Sequence, residues 1–183
     1  MSPVPVSNVS LPEPVMSALA STGLRWLWLV AVVIILDQFS KQLVVNHLVL
    51  HQALPLLPSL NLLRAENTGA AFSFLSGASG WQRWFFIGLA VTISVLLLVW
   101  LGRLSAGHRL QAGALALILG GALGNLCDRV LHGYVIDFID VYYRDWHFPV
   151  FNIADSAITV GAILLILDTF LHPTSRPDTK LRG

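Results

Sequence analysis

Apolar positions fall into four long runs, at about residues 24–45, 84–104, 110–130 and 153–171, each bounded by charge, glycine or proline. A helix of about 20 apolar residues, rising about 1.5 Å per residue, spans about 30 Å of hydrocarbon. The pattern predicts four transmembrane helices. Residues 46–80 break it, being too apolar for a free loop and too interrupted by proline for a span. Within them, LNLLRAENTGAAFSFL alternates partially around an Asn-Thr-Gly turn and predicts a small strand pair at the membrane surface. GWQRWFF reads as an interfacial lead-in to the second helix. The expected organisation is an N-terminal segment 1–23 with four prolines, a transmembrane domain 24–171 with the insert 46–80, and a polar tail 172–183. The first run leads into LDQFSK rather than a small-x-small cleavage site, as in an uncleaved anchor.

Composition narrows the class. Hydrophobic residues make up 55% of the chain and charged residues 11%, less than half the charged share of about 25% in soluble domains. The fold class is an all-α membrane protein carrying a small β-sheet. A formal charge of +1, with no Lys/Arg run, offers no basic surface for nucleic acid. The single cysteine, Cys127, allows neither an internal disulfide nor a thiol-rich metal site.

Charge also bears on orientation. With four spans, Arg25, Arg103, Arg109, Arg176, Lys180 and Arg182 share one side, against Lys41, Arg64, Arg83, Arg129 and Arg144 on the other, a bias of six to five. Lys41 and Arg129 lie beside Asp37 and Asp128, where pairing can account for them. Both termini are therefore expected in the cytoplasm. All six tryptophans fall near predicted helix ends, as an interfacial belt requires. The acids are lopsided: Asp37, Glu66, Asp128, Asp137, Asp140, Asp145 and Asp155 map to the outer half.

A carboxylate near hydrocarbon costs several kcal/mol, so these acids need a reason. Ala112, Ala116, Gly120 and Gly124 recur every four residues in the third helix, a ridge suited to close packing. Next comes GNLCDRVLHGYVIDF, with Asn125, Asp128 and Arg129 within one turn and Gly133 as the exit. Asp137 follows among Val135, Ile136, Phe138 and Ile139, where desolvation favours its neutral form. Asp155 differs: if Asn152 caps the fourth helix, Asp155 is a capping-box acid beside the positive end of the dipole. A cap alone would explain Asp155, but not Asp137. One acid biased towards protonation and one towards ionisation form the pair that aspartic proteases use. Asp37 and Lys41 in DQFSK stand four apart and can pair as a helix-end brace.

DQFSK, AENTGAAFSFL, GGALGNLCDRVLHGYVIDF and FNIADSAITVGA, in this order and spacing, resemble the bacterial lipoprotein signal peptidase (signal peptidase II) family over about residues 25–171. The resemblance implies a four-helix inner-membrane protein with an outer-face sheet. It also implies an aspartic endopeptidase that removes signal peptides from prolipoproteins before the diacylglyceryl-modified cysteine. Carried over by position, Asp137 and Asp155 match the catalytic pair. Asn67 and Arg129 match polar positions around the substrate, Asn152, Asp37 and Lys41 a supporting shell, and Asp128 stands with Asn125 and Arg129 as support. Cys127 occupies a position where a Tyr or an aliphatic residue is expected, and reads as filler. The implied partners are diacylglyceryl-modified prolipoproteins and membrane lipid, the enzyme acting as a monomer near the periplasmic face. No metal or other cofactor is implied.

Other classes fit less well. A proton-coupled carrier needs a relay across the bilayer, yet Asp168 lies about 20 Å from Asp155 with nothing ionisable between them. A haem subunit needs facing histidines within spans, whereas all six histidines lie near helix ends or in loops. A structural assembly factor could use the small-residue ridge but has no need of Asp137 and Asp155 together.

Overall fold

The computed structural model describes residues 22–69 and 80–171. Nearly all of the Pro-rich start, the limb after the Asn-Thr-Gly turn and the polar tail lie outside the described residues. A short 3-10 turn, Gly23–Trp26, opens into helix α1 (Leu27–His47), followed by α2 (Trp81–Arg103), α3 (Arg109–Leu131) and α4 (Ile153–Leu171). These four helices are long and apolar enough to cross a membrane, and they coincide with the four apolar runs. GWQRWFF forms the start of α2, with Trp81 and Trp84 exposed.

Helix α3 is the centre of the bundle, packed against the other three. Its small-residue ridge explains how. A Cβ on Gly120 would lie 2.7 Å from Val33, and one on Gly124 would lie 2.7 Å from Asp37, so α1 rests directly on the α3 backbone. On another face, Gly161 of α4 meets the Ala114 carbonyl, where a Cβ would be 2.7 Å away. Close backbone approach recovers dispersion contact that lipid, itself apolar, cannot drive hydrophobically. Val30, Leu97, Leu101, Leu115 and Leu119 fill the remaining core.

Four antiparallel strands form one sheet in the order β1 (Ala53–Leu57), β2 (Leu60–Asn67), β3 (Val135–Tyr143) and β4 (Trp146–His147). Of the strand pair expected around the Asn-Thr-Gly turn, the first limb is β2 and the second lies outside the described residues. β2 pairs instead with the preceding β1 across a turn at Pro58–Ser59, with Ser59 at φ 66°. β2 ends at Asn67, where the Asn-Thr-Gly turn begins. Its other neighbour is β3, pairing Ala65 with Asp137 and Asn61 with Asp140. The sheet sits on the ends of α1 and α4, where Val44, Leu48, Phe138, Leu62 and Ile153 pack together. Arg64 fastens it further, donating to the Leu48 carbonyl at 3.1 Å and pairing with Glu66 at 3.1 Å. The sheet therefore lies at the end of the bundle where α1 and α3 finish and α2 and α4 begin. At the opposite end, Gly23 N–H bonds the Leu104 carbonyl at 2.8 Å.

Candidate active site

Three elements bring the acids together. Gly133, at φ +89°, lets the chain leave α3 and enter β3 within a few residues. Arg83 of α2 secures that exit, donating to the Arg129 and Val130 carbonyls in the last turn of α3 at 2.9 and 2.8 Å. β3 then carries Asp137, 3% exposed, towards the start of α4.

Asn152 caps α4 as the sequence predicts. Its side-chain oxygen accepts from Asp155 N–H at 2.9 Å, and its own N–H donates to Asp155 Oδ2 at 3.2 Å. This reciprocal pair is a capping box with Asp155 at its third position. The Asn152 amide nitrogen donates to Asp137 Oδ1 at 2.7 Å. One residue thus orients both acids. Asn67 of β2 donates to Asp137 Oδ2 at 2.9 Å, and Asn125 of α3 donates to Asp155 Oδ1 at 2.7 Å. Burial pushes the Asp137 carboxyl up to about 7, reinforced by the nearby Asp155 charge and opposed by the Asn67 and Asn152 hydrogen bonds.

Beneath the pair lies a buried ionic cluster. Lys41, 1% exposed, contacts Asp37 at 2.7 Å, Asp128 at 2.9 Å and Asn125 Oδ1 at 3.0 Å. Lys41 thereby fixes the Asn125 amide, oxygen towards the cation and nitrogen towards Asp155. Asp37 also accepts from Ala154 N–H at 2.9 Å, tying α1 to the first turn of α4. Asp128 accepts from Ile136 N–H at 3.1 Å and from Gln38 at 2.9 Å. The expected support of Arg129 by Asp128 is corrected here: Asp128 braces Lys41 and the start of β3. Arg129 points elsewhere, to the Gly69 carbonyl at 3.1 Å and across the Phe86 ring at 5.1 Å, because adjacent helical side chains diverge around the axis.

Both acids open onto a cavity of about 820 Å³, which Asn67, Asn125 and Arg129 also line. One wall is apolar, from Phe148 to Phe151, and the cavity runs along α4 to Val160, exposed on the outer helix surface. Of the site residues expected from the sequence, Asn67, Asn125, Arg129, Asp137 and Asp155 line the cavity, Asp37, Lys41 and Asp128 lie in the cluster below it, and Asn152 bonds both acids between them. Gln38 and Arg83 escaped the sequence reading, although Gln38 stands inside DQFSK. Among the described residues, no group of three or more His, Cys, Asp or Glu side chains is placed to hold a metal ion. Cys127 is a free thiol away from the cavity lining. Two carboxyls, both oriented by amide donors and sharing one cavity, can divide the roles of general base and general acid.

Comparison with known proteins identifies the family. The family model described as Signal peptidase (SPase) II matches residues 29–171. A lipoprotein signal peptidase of Photorhabdus laumondii is 61% identical over 158 residues, covering 86% of this chain and 95% of that protein. One from Serratia proteamaculans is 56% identical over 165 residues, covering 90% and 97%. A solved bacterial membrane enzyme, determined in meso at 2.3 Å resolution, superposes with a TM-score of 0.75 at 31% identity, covering 86% of this chain and 94% of that one.

Proposed function

Given that the chain belongs to the signal peptidase II family, which cleaves signal peptides from prolipoproteins in lipoprotein maturation, we propose that it works as an aspartic endopeptidase with Asp137 and Asp155 as its acid pair. The observation that carries this reading is Asn152, which bonds both carboxyls and holds them on one cavity. Asp155 is the base: it sits at the positive end of the α4 dipole and accepts from two N–H groups. It removes a proton from water as the water attacks the scissile carbonyl. Asp137, whose carboxyl burial pushes up to about 7, gives its proton to the carbonyl oxygen. As the tetrahedral intermediate collapses, Asp137 takes a proton back from a hydroxyl of that intermediate while Asp155 delivers the water-derived proton to the leaving amine nitrogen.

The scissile bond is the one preceding the diacylglyceryl-modified cysteine. The cavity reaches Thr159 and Val160, both exposed on α4, so the acyl chains of that cysteine can stay in the bilayer while the peptide occupies the acid pair. Asn67 and Arg129, on the cavity wall, hold the peptide. The remaining site residues, Asn125, Asp128, Asp37 and Lys41, support the pair from below. The protein is placed in the bacterial inner membrane as a monomer, termini cytoplasmic, with the sheet and cavity at the periplasmic face. The test is cleavage of a lipidated precursor by purified protein, with and without chelator and in Cys127→Ser. Turnover that survives both supports the carboxyl mechanism; loss on chelation, restored by zinc, defeats it.

A further inference from the structure

Strand β3 carries two buried acids three residues apart, and only Asp137 serves the reaction above. Asp140 is 1% exposed, and its two oxygens have separate partners. Asn61 of β2 donates to Oδ2 at 2.8 Å, and His147 Nδ1 of β4 lies 2.7 Å from Oδ1. A carboxylate oxygen accepts, so the His147 proton facing it sits on Nδ1. The imidazole also stacks on Tyr142, with centroids 5.2 Å apart and planes at 18°. Asp137 is held in parallel fashion, by Asn67 of β2 on one oxygen and Asn152 on the other. The same strand therefore grips the chain at His147 and again at Asn152. The four residues between, Phe148, Pro149, Val150 and Phe151, all line the cavity. Backbone bonds from Phe148 N to the Val141 carbonyl at 2.8 Å and from Phe151 N to the Ile139 carbonyl at 3.1 Å lay this strap along β3.

We propose that His147 and Asp140 are positioning residues that anchor the outer end of the Phe148–Phe151 strap and so set the width of the cavity for side chains beside the scissile bond. The inference rests on the peptidase reading of the cavity. The inner end of the strap is tied to the acid pair through Asn152, which the outer anchor does not touch. Loosening the outer end moves apolar wall that contacts substrate equally in the ground and transition states, which affects KM rather than kcat.

His147→Phe keeps a ring over Tyr142 and removes the bond to Asp140, whereas His147→Asn returns a donor near the Nδ1 position. The His147 side chain is 52% exposed on a two-residue edge strand, so both variants are expected to fold. Purified enzymes are given two lipidated precursors in one tube, differing only in the volume of the residue beside the scissile bond. The ratio of their cleavage rates does not depend on how much enzyme is folded. His147→Phe is expected to raise KM about three- to tenfold with kcat held, and to shift the ratio at least about threefold towards the bulkier precursor. His147→Asn should restore both. An unchanged KM and ratio in His147→Phe, or a kcat that falls in step with thermal stability at constant KM, overturns the proposal. Failure of the unmodified enzyme to cleave either precursor would instead sink the peptidase reading.

Discussion

The Asn152 side chain donates to Asp137 at 2.7 Å from the cap position of the helix that carries the second acid. A local device for satisfying a helix end thus doubles as the spacer between two carboxyls. Replacing Asn152 with Ala should cost about 1 kcal/mol as a lost cap, and should also release both acids. Cleavage is expected to fall far more than thermal stability. Comparing melting temperature with kcat for Asn152→Ala and Asn152→Ser checks this, and a proportional loss of both would reduce Asn152 to a cap.

Asp137→Asn and Asp155→Asn should each lower kcat by about 10²- to 10⁴-fold while leaving precursor binding largely intact, because the loss is confined to proton transfer. Asp128→Asn should behave differently. It weakens the contact with Lys41 and the brace on Ile136 N–H, so folded yield and melting temperature should drop alongside activity. Binding and cleavage measured separately on the three variants decide it. An Asp137→Asn enzyme at near-normal rate, with Asp128→Asn folded but inactive, would make Asp128 the partner of Asp155.

The pH profile follows from the direction of the Asp137 shift. A general acid must be protonated, so turnover should decline as pH rises through about 7, the region to which burial pushes this carboxyl. The Asn67 bond opposes that shift, so Asn67→Ala should move the alkaline limb to higher pH, the apparent value belonging to the coupled pair. Stability carries the same sign. The folded state holds this proton more tightly than the unfolded chain, whose ordinary value is 3.8. The group therefore subtracts stability as pH rises from about 4 to about 7. Rate profiles of both enzymes, with denaturation at two pH values, test the pair of statements.

Lys41 is the sole cation in contact with two buried carboxylates among the described ion pairs. Lys41→Met should destabilise the protein by about 3–5 kcal/mol, since it leaves both charges uncompensated. Gly124→Ala attacks the same cluster from the backbone, placing a Cβ 2.7 Å from Asp37 Oδ2. Thermal scans in detergent should show both variants melting well below the parent; an unaltered Lys41→Met would mean that the cluster is solvated in the membrane.

Orientation can be read with thiol reagents in a Cys127→Ser background. Ser105 and Ser59 are exposed at opposite ends of the bundle. A cysteine at 59 should label with an impermeant maleimide in intact spheroplasts, and one at 105 only after lysis. The reverse pattern would move the cavity to the cytoplasmic face.

The four spans were legible in the sequence because bilayer thickness imposes a length and an apolar composition that the chain carries locally. The Asn152–Asp155 capping box and the Asp37–Lys41 pair were legible for the same reason: each is set by spacing within one helix. The small ridge on α3 announced close packing, but not that Gly124 would admit the Asp37 carboxylate. Other features depend on chain segments that are far apart and were decided only by tertiary structure. β3 hid inside an apolar stretch, since its strand character comes from pairing with β2 some seventy residues earlier, as in Ala65 with Asp137. Asp128 stands next to Arg129 in the sequence yet faces Lys41, because adjacent helical positions diverge and the α1 interface claims one of them. Asp140 stood only as one of the outer-half acids, and His147 only as one of six histidines near helix ends or in loops, until the β3–β4 pairing set them 2.7 Å apart. Local periodicity determined the elements and the identity of the acids; the long-range packing of α1, α4 and the sheet around α3 decided which polar groups meet, because only folding removes them from water and obliges each to find a partner.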